Sequence, residues 1–171
     1  MVVGFPVLAD QRDERLPGLF DRLKASSSAS EAKALEAVIW QIWSDGGDGE
    51  TNTLMRRGVA AMAEDDQIQA LAVFNEMVRR RPDFAEGWNK RATVYFLVGD
   101  FTSSVSDIEK TLELEPRHFG ALTGTGLVLE REGFDDRARE VFLKVRTIYP
   151  LAPDIQKPLD KPVPDEGSND I

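Results

Sequence analysis

Residues 85–116 read AEGWNKRATVYFLVGDFTSSVSDIEKTLELEP, and this stretch decides the fold. Trp88, Ala92, Tyr95 and Phe96 recur at helical spacing and form one apolar stripe. Gly99 follows, and glycine ends a helix in the left-handed conformation at no steric cost. Asp100 is a good cap for the next helix. Phe101, Val105, Ile108 and Leu112 make a second stripe at spacings of 4, 3 and 4. Pro116 stops it. The stretch predicts two amphipathic helices joined by a tight turn.

The same design recurs on both sides. Pro82, Pro116 and Pro150 stand 34 residues apart. Leu54, Trp88 and Leu122 share one phase, as do Gly58, Ala92 and Gly126, then Ala61, Tyr95 and Leu129. In the second helix Ala70, Ser104 and Ala138 align, then Phe74, Ile108 and Phe142, then Met77, Thr111 and Val145. Ser104 and Thr111 are the polar exceptions. Glycine inside a helix costs about 0.5–1 kcal/mol relative to alanine, so Gly58 and Gly126 imply close approach of the two helices of a unit. The first unit carries Asp65-Asp66 at its turn, so its left-handed position lacks glycine and is slightly strained. The third unit repeats the turn with Gly133, Asp135 and Pro150.

Over residues 51–152 this pattern resembles the tetratricopeptide repeat family, whose 34-residue unit runs Trp, Leu-Gly, Tyr, then Ala, Phe and Pro. The middle unit carries Trp88, Ala92, Tyr95, Ile108 and Pro116, and departs from the pattern at Arg91 and Ser104. The resemblance implies an all-α solenoid, a right-handed superhelix of three helix-turn-helix units at 51–84, 85–118 and 119–152. It is specific for fold and weak for function.

Stacked units leave apolar faces at both ends, so caps are expected. Leu16, Leu19, Phe20 and Leu23 predict a helix near 17–25, with Pro17 in its first turn. Ala32, Leu35, Val38, Ile39, Ile42 and Trp43 predict a second helix near 30–44. Residues 10–50 therefore read as a helical hairpin, a degenerate repeat at best, that covers the first full unit, with Gly46 to Gly49 as linker. After Pro150 come Pro153, Pro158, Pro162 and Pro164 and an acidic run, which together predict a largely disordered tail over 153–171. A short turn near 152–159 is expected to cover the last repeat.

Hydrophobic residues make up 42% and charged residues 30% of the 171, a globular mix, and the formal net charge is −9. That charge repels a nucleic-acid backbone, which speaks against general nucleic-acid binding. No cysteine is present, which excludes thiolate catalysis, cysteine zinc sites and disulfides. No apolar run is long enough for a membrane span. At the N-terminus, Val2 to Ala9 is apolar, and Val7-Leu8-Ala9 before Asp10 resembles the small-residue end of a secretory signal. The expectation is a remnant signal over 1–9, a mature start near Asp10 and work outside the cytoplasm. An ordinary apolar N-terminus on a cytoplasmic protein is the alternative.

Function is sought on the inner face. The resemblance implies that the first helix of each unit lines a concave surface that binds a peptide or helix of a partner protein. Carried over by phase, the first unit contributes Asn52, Met55, Arg56, Val59 and Met62. The second gives Glu86, Asn89, Lys90, Thr93, Phe96 and Leu97, and the third Thr123, Leu127, Glu130 and Arg131. Some family members grip a terminal carboxylate with basic side chains. The corresponding positions are Met55, Val59, Lys90, Gly120 and Gly124, of which Lys90 alone suits, so that reading is rejected. His118, the only histidine, falls in an inter-repeat loop beside Arg117 with no partner nucleophile, and reads as a surface residue. Gly124-Thr125-Gly126 lacks the strand and lysine of a phosphate loop and reads as packing. Asp45, Asp48 and Glu50 do not match a calcium loop. Arg79-Arg80-Arg81 ends a helix, where positive charge complements the dipole. No cofactor or metal is implied. The expectation is a bacterial, non-catalytic scaffold in the cell envelope, with a cytoplasmic adaptor or secretion chaperone as the alternative, and self-association open.

Overall fold

The computed structural model describes residues 10–160, so the apolar segment 1–9 and the acidic stretch 161–171 lie outside the described residues. Within this range α1 (Leu16–Ala25) and α2 (Ala29–Trp43) form the leading hairpin. Three repeats follow: α3 (Gly49–Ala63) with α4 (Gln67–Arg80), α5 (Ala85–Leu97) with α6 (Phe101–Leu114), and α7 (Phe119–Arg131) with α8 (Asp135–Ile148). A 3-10 turn, Pro153–Ile155, and the short α9 (Gln156–Asp160) end the described chain. The molecule is an all-α solenoid.

The turns inside the repeats are built alike. Each first helix closes with a bond from a backbone N–H to the carbonyl five residues back: Asp66 to Ala61 (2.9 Å), Asp100 to Tyr95 (2.9 Å) and Phe134 to Leu129 (2.8 Å). This closure needs one left-handed residue. Gly99 and Gly133 supply it at φ 80°, and in the first repeat Asp65 takes it at φ 59°. Asp66 and Asp100 then cap α4 and α6, accepting from Gln69 N (2.9 Å) and Ser103 N (3.1 Å). The third repeat departs from expectation. Phe134 takes the cap position without a side-chain bond, and Asp135 and Asp136 lie in the first turn, where their charge favours the helix N-terminus.

Close approach within the repeats follows from the small residues. A Cβ placed on Gly58 would stand 2.4 Å from Phe74 Cζ, and one on Gly126 would stand 2.3 Å from Phe142 Cε1. Each phenyl ring lies in the space that the missing side chain leaves. In the middle repeat, where Ala92 replaces glycine and Ile108 replaces phenylalanine, Ser104 Oγ instead donates to the Ala92 carbonyl at 2.9 Å. Arg91 fills the place of the family's leucine. It forms a two-pronged ion pair with the buried Asp107 (2.7 Å on both prongs) and lies over the rings of Trp88 and Tyr95.

The leading hairpin does not cover the first repeat. Its apolar side, Leu16, Phe20, Leu23, Leu35, Ile39 and Trp43, joins one buried cluster with Phe119, Phe142, Val145 and Tyr149 of the third repeat. The first repeat has its own core around Phe74, Met77 and Phe84. The outward side of α3 is mostly polar or small, with Thr53, Arg56, Arg57, Ala60 and Glu64 exposed and Val59 as its one large exposed apolar residue, so that end of the array needs little apolar cover. The third repeat lacks such a finish, and the hairpin supplies it.

The linker is shorter than read from the sequence. Gly49 already opens α3, and Asp48 caps it, accepting from Glu50 N (3.0 Å) and Thr51 N (2.8 Å). Arg81 is more than a complement to a helix dipole. It reaches the Gly46 carbonyl (2.7 Å), Asp48 (3.0 Å) and Asp83 (3.0 Å), tying the linker to the end of α4. Residues 153–160 form the short turn expected over the last repeat and extend it into α9. Ile155 and Leu159 are buried beside α8, and Arg139 donates to the Leu159 carbonyl at 2.6 Å.

Candidate functional site

The inner face divides into a sealed joint and an open pocket, and α2 makes the boundary. The joint is centred on His118, which is fully buried rather than a surface residue. Its Nδ1 accepts from Ala121 N at 3.1 Å and so caps α7. That leaves the proton on Nε2, which donates to Glu86 Oε2 at 3.0 Å. Asn89 Nδ2 donates to the same oxygen at 3.0 Å, and Lys90 Nζ lies 3.0 Å from the other. Burial pushes the Glu86 carboxyl up, but the Lys90 charge and the His118 hydrogen bond outweigh it, so its pKa is lowered. Trp43 stacks on the imidazole, and Trp40 lies edge-on to it.

The pocket opens beside this joint. It has a volume of about 170 Å³. Its floor is Asn89, Ala92, Thr93 and Phe96 of α5 with Ala121, Thr123, Gly124 and Leu127 of α7; Ile108 of α6 lies behind. Glu36 and Trp40 of α2 also line it, as do Tyr149, Pro153 and Asp154 at the end of α8 and beyond. The sequence makes the cavity by leaving out bulk along one side of α7. The Trp40 ring lies 2.6 Å from where a Gly120 Cβ would be, so only glycine admits it there. Glu36 accepts from Tyr149 Oη (3.1 Å) and Trp40 Nε1 (3.4 Å). Desolvation of the buried tyrosine, with the Glu36 charge beside it, pushes its pKa up.

The residues carried over by phase divide accordingly. Asn89, Thr93, Phe96, Thr123 and Leu127 converge on the pocket. Arg131 lies at its edge, 5.9 Å over the Phe96 ring. Glu130 is half-buried next to it in α7 and does not line the pocket. Glu86 and Lys90 belong to the buried joint, Lys90 lying 5.3 Å over Trp40. Leu97 is exposed and is not among the pocket's lining residues. The first repeat contributes nothing to the pocket. Met55 is buried in its own core with Met62 against it, and Asn52 braces the linker through Gly46 N (2.7 Å) and Asp45 (2.8 Å). Arg56 bonds to Thr53 at 2.9 Å, and Val59 is exposed on its own. Sequence reasoning missed Glu36, Trp40, Tyr149 and Asp154. Trp40 stands 34 residues before Phe74 and so falls in the repeat phase, which is the signal that could have found it; the other three had none.

An array of helical hairpins with a lined hollow on its inner face defines a helical-repeat interaction module. No protein-family model matches the chain. It is 36% identical over 150 residues to a TPR repeat-containing protein of Rhizobium etli, covering 84% of this chain and 74% of that one. The chain belongs to the tetratricopeptide-repeat proteins. It is 32% identical over 97 residues to tetratricopeptide repeat protein 36 of Xenopus tropicalis, which spans 54% of this chain and 48% of that one. Among solved structures, the TPR2B domain of yeast Sti1 in its pHsp70 complex matches with a TM-score of 0.56 at 21% identity, over 58% of this chain and 80% of that one. Proteins of this family generally mediate protein–protein interactions and are typically non-catalytic scaffolds.

Proposed function

We propose that this chain is a non-catalytic adaptor that holds a peptide or helix of a partner protein, with one partner side chain seated in the pocket between α2, α5 and α7. The observation that carries this reading is the pocket itself: 170 Å³ lined by Trp40, Phe96, Ile108 and Leu127, on the face to which the family pattern assigned binding. An apolar cavity of about 150 Å³ admits benzene, so this one suits a single leucine- or phenylalanine-sized side chain and is too small for a nucleotide-sized ligand. That the yeast Sti1 TPR2B domain is described in a complex with pHsp70 agrees with a protein ligand. The signal-like Val7-Leu8-Ala9 before Asp10 supports work in the cell envelope. A chain beginning at Asp10 keeps the ion pairs of the Asp10 carboxylate with Arg12 and Arg81.

The test places a photo-cross-linking amino acid at Thr123, and in a second variant at the exposed Glu109 outside the pocket. A partner cross-linked from Thr123 alone supports the reading once its purified segment binds the wild type and binding is lost in Thr123→Trp, which fills the pocket from its floor. Equal binding by Thr123→Trp, with an unchanged circular dichroism spectrum, overturns it. N-terminal sequencing of the protein from its host tests the envelope: a start at Asp10 supports export, and a retained Met1 opposes it.

A further inference from the structure

Resting on that reading, we infer that the pocket selects a cationic ligand: a partner segment that inserts one apolar side chain and sets a lysine or arginine of the same segment beside Glu36 and Asp154. Those two are the charged residues among the pocket's lining, and both are acidic. Glu36 on α2 accepts from Tyr149 Oη, and Asp154 stands on the 3-10 turn after α8, so both border the part of the lining around Tyr149. Among the described residues neither has an ion-pair partner within 4 Å. The groups bonded to Glu36, Trp40 Nε1 and Tyr149 Oη, are neutral and leave its charge uncompensated.

The nearby cations do not cancel this field. Lys90 is paired with the buried Glu86, so that couple is neutral. Arg131 stands over the Phe96 ring and is not among the pocket's lining residues. A net charge of −9 adds a long-range pull on a basic segment. An anionic ligand would be opposed by both carboxylates, so this polarity is the reverse of a site for a terminal carboxylate.

Three probes of one shape separate the charge from the cavity: phenethylammonium, phenethyl alcohol and 3-phenylpropionate. Each is titrated into the full chain while the amide signals of Gly120, Thr123 and Gly124 and the Trp40 indole signal are followed by NMR. The expected result is shifts at these four positions, with phenethylammonium binding about tenfold tighter than 3-phenylpropionate. Glu36→Gln, which still accepts from Tyr149, and Asp154→Asn at an exposed site should each narrow that gap, as should raised salt. Equal or tighter binding of 3-phenylpropionate overturns the charge selection and leaves the docking pocket standing. No shift at these positions with any of the three probes overturns both.

Discussion

The Trp43 indole stacks on the His118 imidazole with ring centroids 4.1 Å apart and planes 10° from parallel. The pair joins the leading hairpin to the last repeat. Trp43 closes α2 of the leading hairpin, and His118 opens α7 of the last repeat. Both are almost wholly buried. Trp43→Ala should therefore cost about 3–5 kcal/mol, the range for losing a large buried aromatic. Urea unfolding measures the loss, and near-ultraviolet circular dichroism should lose the signal of the stacked rings. Trp40→Ala, at a half-buried ring that borders the open pocket, should cost less.

Two glycines test the reading of close approach against each other. Gly126→Ala puts a methyl group 2.3 Å from the Phe142 ring, which must move. Overpacking of this kind costs about 1–3 kcal/mol. Gly18→Ala in α1 meets nothing within 4 Å and gains helix propensity, so it should stabilise by about 0.5–1 kcal/mol. Thermal melts of the two variants should move in opposite directions. A rise for both would show that helix propensity, and not the Phe142 contact, governs position 126.

Acid sensitivity follows from Glu86. Its pKa is lowered from an ordinary 4.5 because Lys90 and His118 outweigh its burial. A carboxyl depressed on folding binds fewer protons in the folded state, so its contribution is complete above about pH 4.5 and is lost as pH falls through the folded value. Asp48, held down by the Thr51 amide, and Asp83, held down by Arg81, act in the same direction. Urea midpoints should fall as pH is lowered from about 5 to about 3. Glu86→Gln should be less stable at neutral pH by about 1.5–3 kcal/mol, the worth of hydrogen bonds to a charged group, and its acid slope should be shallower.

The repeat was legible because it is local. Stripes, turn glycines and stop prolines act within about ten residues, and chain geometry alone converts them into helical hairpins. The destination of the leading hairpin was not legible, because Phe20, Ile39 and Trp43 state that α1 and α2 need an apolar partner without stating which. That depended on α3 having a polar outer side while the third repeat did not. The five pocket residues found by phase lie on α5 and α7, whose register the repeat dictates. Glu36, Tyr149 and Asp154 came to the site through that non-local packing. His118 was misjudged for a related reason: a loop residue just after a stop proline looks exposed until Trp43 covers it.

One local rule is broken inside the repeat itself, and it makes a final test. Positions 65, 99 and 133 are equivalent, and all three adopt positive φ, but the first carries aspartate where the others carry glycine. A left-handed conformation costs a residue with a Cβ about 1–2 kcal/mol, less for aspartate. Asp65 also accepts from Gln67 Nε2 at 2.8 Å, an exposed bond of small worth. Asp65→Gly should therefore stabilise the protein by up to about 1 kcal/mol, while Gly99→Ala, at φ 80° in open space, should destabilise it by about 1–2 kcal/mol. Because a Cβ added at Gly99 would meet nothing within 4 Å, a loss there reports backbone strain without steric contact. Equal melting temperatures for Gly99→Ala and the wild type would mean that the turn reshapes to avoid the left-handed residue, and the Asp100 to Tyr95 bond would then be missing from hydrogen-exchange protection.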